Sequence, residues 1–404
     1  MKIGRIIFNI LSILFICSLI GIYSYRLIHF YKLEHMVYEN SESKLYEVLI
    51  NNKGIEGTDE GLQTSDDGYI YGSKSENNYA YYAGRMWRII SIDKENRIKM
   101  ITDEAQTLLA WDKEEFEASD INKWLNKNEN DANSGIFEKS LKTDTKASLL
   151  SISEYKRLKE NNYLISETPY WIIDEDNKAM YVDAKGEINK DNKSSFFGVR
   201  PTIVIPNDVI YTRGTGASDN PYIFTNDNVT TLKDAYVGEY VSFNDSNWRI
   251  IEVDDTKVKV ALDDVITYDK NFGSTNIYNA NNGVGQYLNT AYYNEIENKD
   301  YILDGTYYTG NYNNGYESTY SSNVTLKIGI YRMGEFFINE LPSVYTMTPY
   351  ARTKNTIYTI NNNKKVYADY ITKKNNLRPT LYLDGSLNIL EGKGTKDFAY
   401  KVGK

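Results

Sequence analysis

The stretch Trp87-Arg88-Ile89-Ile90-Ser91-Ile92-Asp93 returns 161 positions later as Trp248-Arg249-Ile250-Ile251-Glu252-Val253-Asp254. Each copy is a β-branched apolar run that ends on an acidic turn, which reads as a strand packed into a core. Trp87 and Trp248 are therefore predicted core residues. Working outward, residues 121–126 (INKWLN) correspond to 284–289 (VGQYLN). Val199-Arg200-Pro201-Thr202 corresponds to Leu377-Arg378-Pro379-Thr380, and Gly214-Thr215-Gly216 through Tyr222 to Gly392-Lys393-Gly394 through Tyr400. Four blocks keep their order in both halves while the offset grows to 178 residues, so the chain is an internal repeat with an insertion in its second copy. Residues 301–322, rich in Gly, Asn, Tyr and Ser, are the predicted insertion.

Each copy follows one coarse plan. In the first, strands are predicted over 79–82, 86–92 and 98–102, with turns at Gly84 and at Lys94-Glu95-Asn96. A short helix over 120–126 takes Ser119 or Asp120 as its cap. A second helix starts near Ser153, where the spacing of Ser151 and Glu154 fits a capping box. Short strands follow over 170–173, 180–182 and 201–205. The expected class is α+β with β predominating, in two tandem modules over 77–226 and 227–404. The polar stretch 225–233 between them predicts that each half folds by itself.

Ahead of the modules, Lys2 and Arg5 precede an uncharged run over 6–25. Twenty helical residues span about 30 Å, the thickness of a bilayer's hydrocarbon core. This predicts an uncleaved transmembrane helix with a cytoplasmic tail over 1–5. Residues 26–76 then read as a juxtamembrane helix and a glycine-rich linker. The expected location is the cell membrane, single-pass, with an extracellular ectodomain and the membrane itself as a partner through 6–25.

Composition removes several functions. The chain of 404 residues carries a formal net charge of −9 and no long basic run, so nucleic acid is not an expected partner. Its single cysteine is Cys17 and its two histidines are His29 and His35, which leaves 36–404 with neither residue type. Serine triads, cysteine nucleophiles and most zinc sites need those side chains. No cofactor and no metal site is expected. Carboxylate chemistry of the glycosidase kind remains open, because Asp and Glu are plentiful.

The order Trp-Arg-Ile-Ile after a Tyr-Tyr-x-Gly strand, then Tyr-Trp, Val-Arg-Pro-Thr and Gly-x-Gly…Asn-Pro-Tyr resembles the DUF6273 module of bacterial surface proteins. The resemblance covers roughly 77–224 and, more weakly, 237–402. It implies a C-type-lectin-like fold shared with formylglycine-generating enzymes. It carries over neither the copper chemistry, since the modules lack cysteine, nor calcium ligands, since Pro201 and Pro379 follow arginines. In a lectin-like module Tyr170, Trp171, Tyr345 and Tyr350 fall on the variable loops, where aromatic faces stack on sugars or peptides. Arg200 and Arg378 are extended by the following proline and are read as buried guanidinium ties or as ligand contacts. The expected function is a non-enzymatic, membrane-anchored binding or adhesion protein for a glycan, a cell-wall polymer or a protein. The alternatives are a carboxylate-dependent envelope enzyme and a structural subunit of a surface assembly.

Overall fold

The structure is a computed structural model that describes residues 43–404, except 55–58, 130–133, 143–144, 159–161, 191–192, 225–228, 282, 311–321, 336–341 and 352. Each half is organised around the strand carrying its Trp-Arg-Ile-Ile block. In the first, Arg85–Ile92 pairs with Gly68–Tyr71 and Tyr79–Tyr82 along one edge and with Ile98–Thr102 along the other. Thr202–Ile205 and Ala147–Ser148 extend that sheet. In the second, Ser246–Val253 lies between Tyr240–Phe243 and Lys257–Leu262, with Pro379–Asp384 and Ile328–Ile330 beyond.

The correspondence reaches the level of single bonds. Trp87 stands opposite Thr102 and Trp248 opposite Leu262, and both ladders bulge two residues later, between Ile89 and Ser91 and between Ile250 and Glu252. Each strand is entered through a two-residue turn with positive φ at both positions: Ala83-Gly84 at 49° and 73°, Asn244-Asp245 at 52° and 56°. That is the hairpin turn whose twist matches a right-handed ribbon. Both indoles donate to a carbonyl five residues back, Trp87 to Tyr82 and Trp248 to Phe243, at 2.9 Å. Asn126 brackets the backbone of Ala147 by donating to its carbonyl at 2.8 Å and accepting from its N–H at 2.9 Å. Asn289 brackets Ile328 in the same way, at 2.8 and 3.0 Å. Lys99 pairs with Glu154 in the first half, and Lys259 with Glu335 in the second.

The central strands are apolar on both sides because both faces of the first sheet are covered. One face packs Trp87, Ile89, Ile98 and Met100 into the main core. The other packs Ile90 and Ile101 against Leu150, Tyr155, Leu158 and Tyr170. Those residues come from the helix Ile152–Leu158 and a small sheet built on Tyr170–Ile173. The helix opens with a reciprocal cap, Ser151 N–H to Glu154 at 2.9 Å and Glu154 N–H to Ser151 Oγ at 3.2 Å.

Three expectations require correction. First, strand outweighs helix by 38% to 15%, and the matter is spread over several sheets rather than an α+β arrangement behind a transmembrane helix. Second, no helix among the described residues is long and apolar enough to cross a membrane. The longest described helical run, 283–295, reaches only about 20 Å. The expected tail over 1–5, the anchor over 6–25 and the stretch 26–42 lie outside the described residues, and the single-pass membrane reading is withdrawn. Third, residues 52–77 are not a bare linker. Leu62–Ser65 and Gly68–Tyr71 form a hairpin that joins the first sheet through Tyr69 opposite Ile92. Gly68 permits this at a φ of 119°, and a Cβ there would meet the Ile92 carbonyl oxygen at 2.2 Å.

The halves meet at a buried junction. Arg85 donates to Ser140 Oγ at 2.8 Å and to the Val237 carbonyl at 3.3 Å. Trp124 donates to the Gly334 carbonyl at 2.7 Å, and Thr107 to that of Glu335 at 3.2 Å. Buried apolar side chains of both halves form one contiguous cluster. Glu239 is buried there and accepts from Tyr81 of the first half at 3.3 Å. Burial pushes its carboxyl up to about 7, against the hydrogen bonds from Tyr236, Tyr400 and Tyr81.

Candidate functional site

Strand Arg85–Ile92 turns Arg88 away from the Trp87 side of the sheet, toward Tyr79 on the neighbouring strand. The guanidinium lies 3.6 Å from the centroid of the Tyr79 ring and 4.7 Å from that of Tyr163. Arg88 is 5% exposed, and its Nε is buried with no hydrogen-bond partner. Asp103 follows the next strand, and its carboxylate approaches Arg88 Nη1 only to 4.0 Å. That distance is outside hydrogen-bond range. Burial pushes the Asp103 carboxyl above its ordinary value, against the pull of Arg88 and Arg200. Beside them the Tyr163 hydroxyl is also buried without a partner.

These groups stand in a polar cleft of about 1570 Å³ on the first half. Lys53, Glu60, Glu76, Asn162, Tyr163, Glu167 and Ser218 of the first half line it, together with Lys364 of the second half. Buried donors and acceptors are nearly always satisfied in folded proteins. The Arg88 Nε and the Tyr163 hydroxyl are closed to solvent beneath the cleft, without a partner among the described residues, whereas the Asp103 side chain beside them is 31% exposed. Among the described residues no group of three or more His, Cys, Asp or Glu is placed to hold a metal ion.

None of the residues singled out from sequence lines this cleft. Tyr170 and Trp171 are 1% and 0% exposed, and donate to the Leu164 and Leu109 carbonyls at 2.8 Å. Tyr345 is fully buried and donates to the Lys373 carbonyl, and Tyr350 packs on Tyr358 with centroids 5.4 Å apart. Trp87 and Trp248 lie in the core at 0% and 1% exposure. Arg200 sits behind the cleft. It donates to the carbonyls of Thr102 at 3.0 Å, Asp103 at 2.9 Å and Tyr163 at 3.1 Å, tying together the two loops that carry Asp103 and Tyr163. Arg378 holds the corresponding place in the second half, with a 2.5 Å bond to the Leu262 carbonyl and Asp263 at 3.7 Å. The residues that sequence reasoning missed are Arg88, Asp103 and Tyr163. A signal for the first was present: an arginine inside an apolar strand, repeated as Arg249.

The second half repeats the tyrosine, the arginine and the aspartate of this set as Tyr240, Arg249 and Asp263. Arg249 stands over Tyr240 at 5.4 Å, and its Nε is likewise buried and unpaired. Asp263, however, is met by Lys396 Nζ at 2.8 Å. A smaller opening of about 550 Å³ lies elsewhere in that half, between Tyr268, Gln286 and the π-turn Leu288–Tyr292.

No family model, no curated protein and no solved structure matches this chain.

Proposed function

We propose that the chain is a non-enzymatic binding protein and that the cleft of its first half takes a segment of a glycan, a cell-wall polymer or a protein. The observation that carries this reading is the part-exposed Asp103 carboxylate, which accepts no hydrogen bond from the described residues, on an open, polar cleft also lined by Tyr79, Arg88 and Tyr163. The other buried arginine nearby, Arg200, is spent on backbone carbonyls and marks the loops as pre-organised. The cleft's size suits a polymer segment of a few units.

Asp103→Asn separates binding from folding, because the carboxylate it neutralises accepts no hydrogen bond from the described residues and approaches Arg88 only to 4.0 Å. Its stability is expected within about 0.5 kcal/mol of the parent. Calorimetric titration with chitohexaose, soluble peptidoglycan fragments and trilysine should find a binder whose affinity falls about tenfold in this variant. An affinity unchanged in Asp103→Asn would place binding elsewhere and overturn the reading.

A further inference from the structure

The two copies of the site differ at one informative position. The loops 214–222 and 392–400 share their backbone bonding. Tyr79 N–H donates to the Gly216 carbonyl and Tyr240 N–H to that of Gly394, each at 2.8 Å. Thr215 N–H donates to Asn220 and Lys393 N–H to Phe398, each at 2.9 Å. Asn220 N–H returns to Ala217 at 3.0 Å and Phe398 N–H to Thr395 at 3.2 Å. This register sets Ser218 opposite Lys396. In the second half the Lys396 ammonium reaches the aspartate that follows the central strands and pairs with it at 2.8 Å. In the first half the equivalent residue is a serine lining the cleft, and the equivalent Asp103 carboxylate accepts no hydrogen bond from the described residues.

We propose that the cleft of the first half binds an extended peptide through a lysine side chain whose ammonium pairs with Asp103, in the place that Lys396 fills in the second half. This rests on the binding reading given above. The protein thus contains its own bound form of the site. In the second half Asp263 pairs with Lys396 and stands 3.7 Å from Arg378, while in the first half Arg88 comes within 4.0 Å of Asp103; Arg88 faces Tyr79 as Arg249 faces Tyr240. An ammonium offers three donors to a carboxylate, and its methylene stem lies along aromatic surface. Tyr79 and Tyr163 supply that surface at the cleft floor. The arriving group is assigned to a peptide because the occupant of the sister site is presented on a polypeptide loop.

The test is calorimetric titration of the full chain with trilysine and with its fully amine-acetylated form. Trilysine is expected to bind, acetylation to weaken it at least tenfold, and Asp103→Asn to do the same. Ser218→Lys, which gives the first half the lysine of the second, is expected to abolish trilysine binding while leaving the melting temperature unchanged or raised. Equal affinity for the acetylated peptide, undiminished binding by Ser218→Lys, or tighter binding of a chitosan hexamer than of trilysine would overturn the assignment. If chitohexaose or a peptidoglycan fragment binds and loses affinity with Asp103→Asn while trilysine does not bind, the lysine assignment fails and the cleft reading stands. If the binders found are indifferent to Asp103→Asn, both fail.

Discussion

Glu335→Ala is expected to lower stability by about 3–5 kcal/mol, and Glu154→Ala by only about 1–2 kcal/mol, although the two residues do the same job. Each carboxylate receives the N–H three residues before it, Glu154 from Ser151 and Glu335 from Arg332, both at 2.9 Å. Each also pairs with a lysine on the neighbouring strand, Lys99 or Lys259. The environments differ. Both side chains of the Lys99–Glu154 pair are 24% exposed, whereas Lys259 and Glu335 are 4% and 8% exposed. Water can replace a lost partner in the first case but not in the second, where Lys259 is left charged beside the rings of Tyr307 and Tyr382. The Gly334-Glu335 turn also receives Trp124 and Thr107 from the first half, so its loss loosens the junction as well. Urea denaturation at constant m-value checks the ratio. Replacing both members, Lys259→Met with Glu335→Met, should recover only part of the loss, since the Lys259 charge is gone but buried Arg332, 3.8 Å from Glu335, loses that carboxylate. Equal costs for the two single variants would show that burial is not what separates the pairs.

Trp87→Ala and Trp248→Ala should each cost about 3–5 kcal/mol. Both indoles are buried, and each bonds to the carbonyl at the end of its own hairpin. Truncation leaves a cavity and an unpaired carbonyl in either half. Trp87 also packs edge-on against Phe137, which contacts Trp124 and through it the second half. Because one apolar cluster runs through both halves, the losses are expected in a common unfolding transition rather than in two separate ones. A cost below about 1 kcal/mol at either tryptophan, measured by the same denaturation, would contradict its place in the core.

How far the fold can be read from sequence depends on what each signal encodes. The Trp-Arg-Ile-Ile runs carry a strand signal in their own composition, and the four repeated blocks fix which strands correspond. The cap at Ser151 and Glu154 is local chemistry three residues apart, which spacing alone reveals. The hairpin over 62–71 is different. Its glycines and paired acids resemble a linker until Gly68 is seen against the Ile92 backbone, a contact 24 residues away in sequence. Tyr170 and Trp171 mislead for a related reason. An aromatic pair between turn residues can serve a loop or a strand, and here pairing with Ala179–Val182 draws both rings inside. The apolar run over 6–25 satisfies a length criterion but lies outside the described residues, among which no helix is long and apolar enough to cross a bilayer. The cleft was the least legible feature. Arg88, Asp103 and Tyr163 are brought together by tertiary packing, with Arg200 as the staple behind them.

The central claim is that both halves carry one site, open in the first and occupied by the protein's own lysine in the second. Titration of the Lys396→Ser variant with trilysine tests it most directly. Lys396 is about half exposed, so its replacement removes the ion pair to Asp263 without opening the core. The account predicts that the stoichiometry rises from one peptide per chain in the parent to two in the variant, with the new site lost again on Asp263→Asn. A stoichiometry that stays at one in a folded Lys396→Ser chain would contradict it.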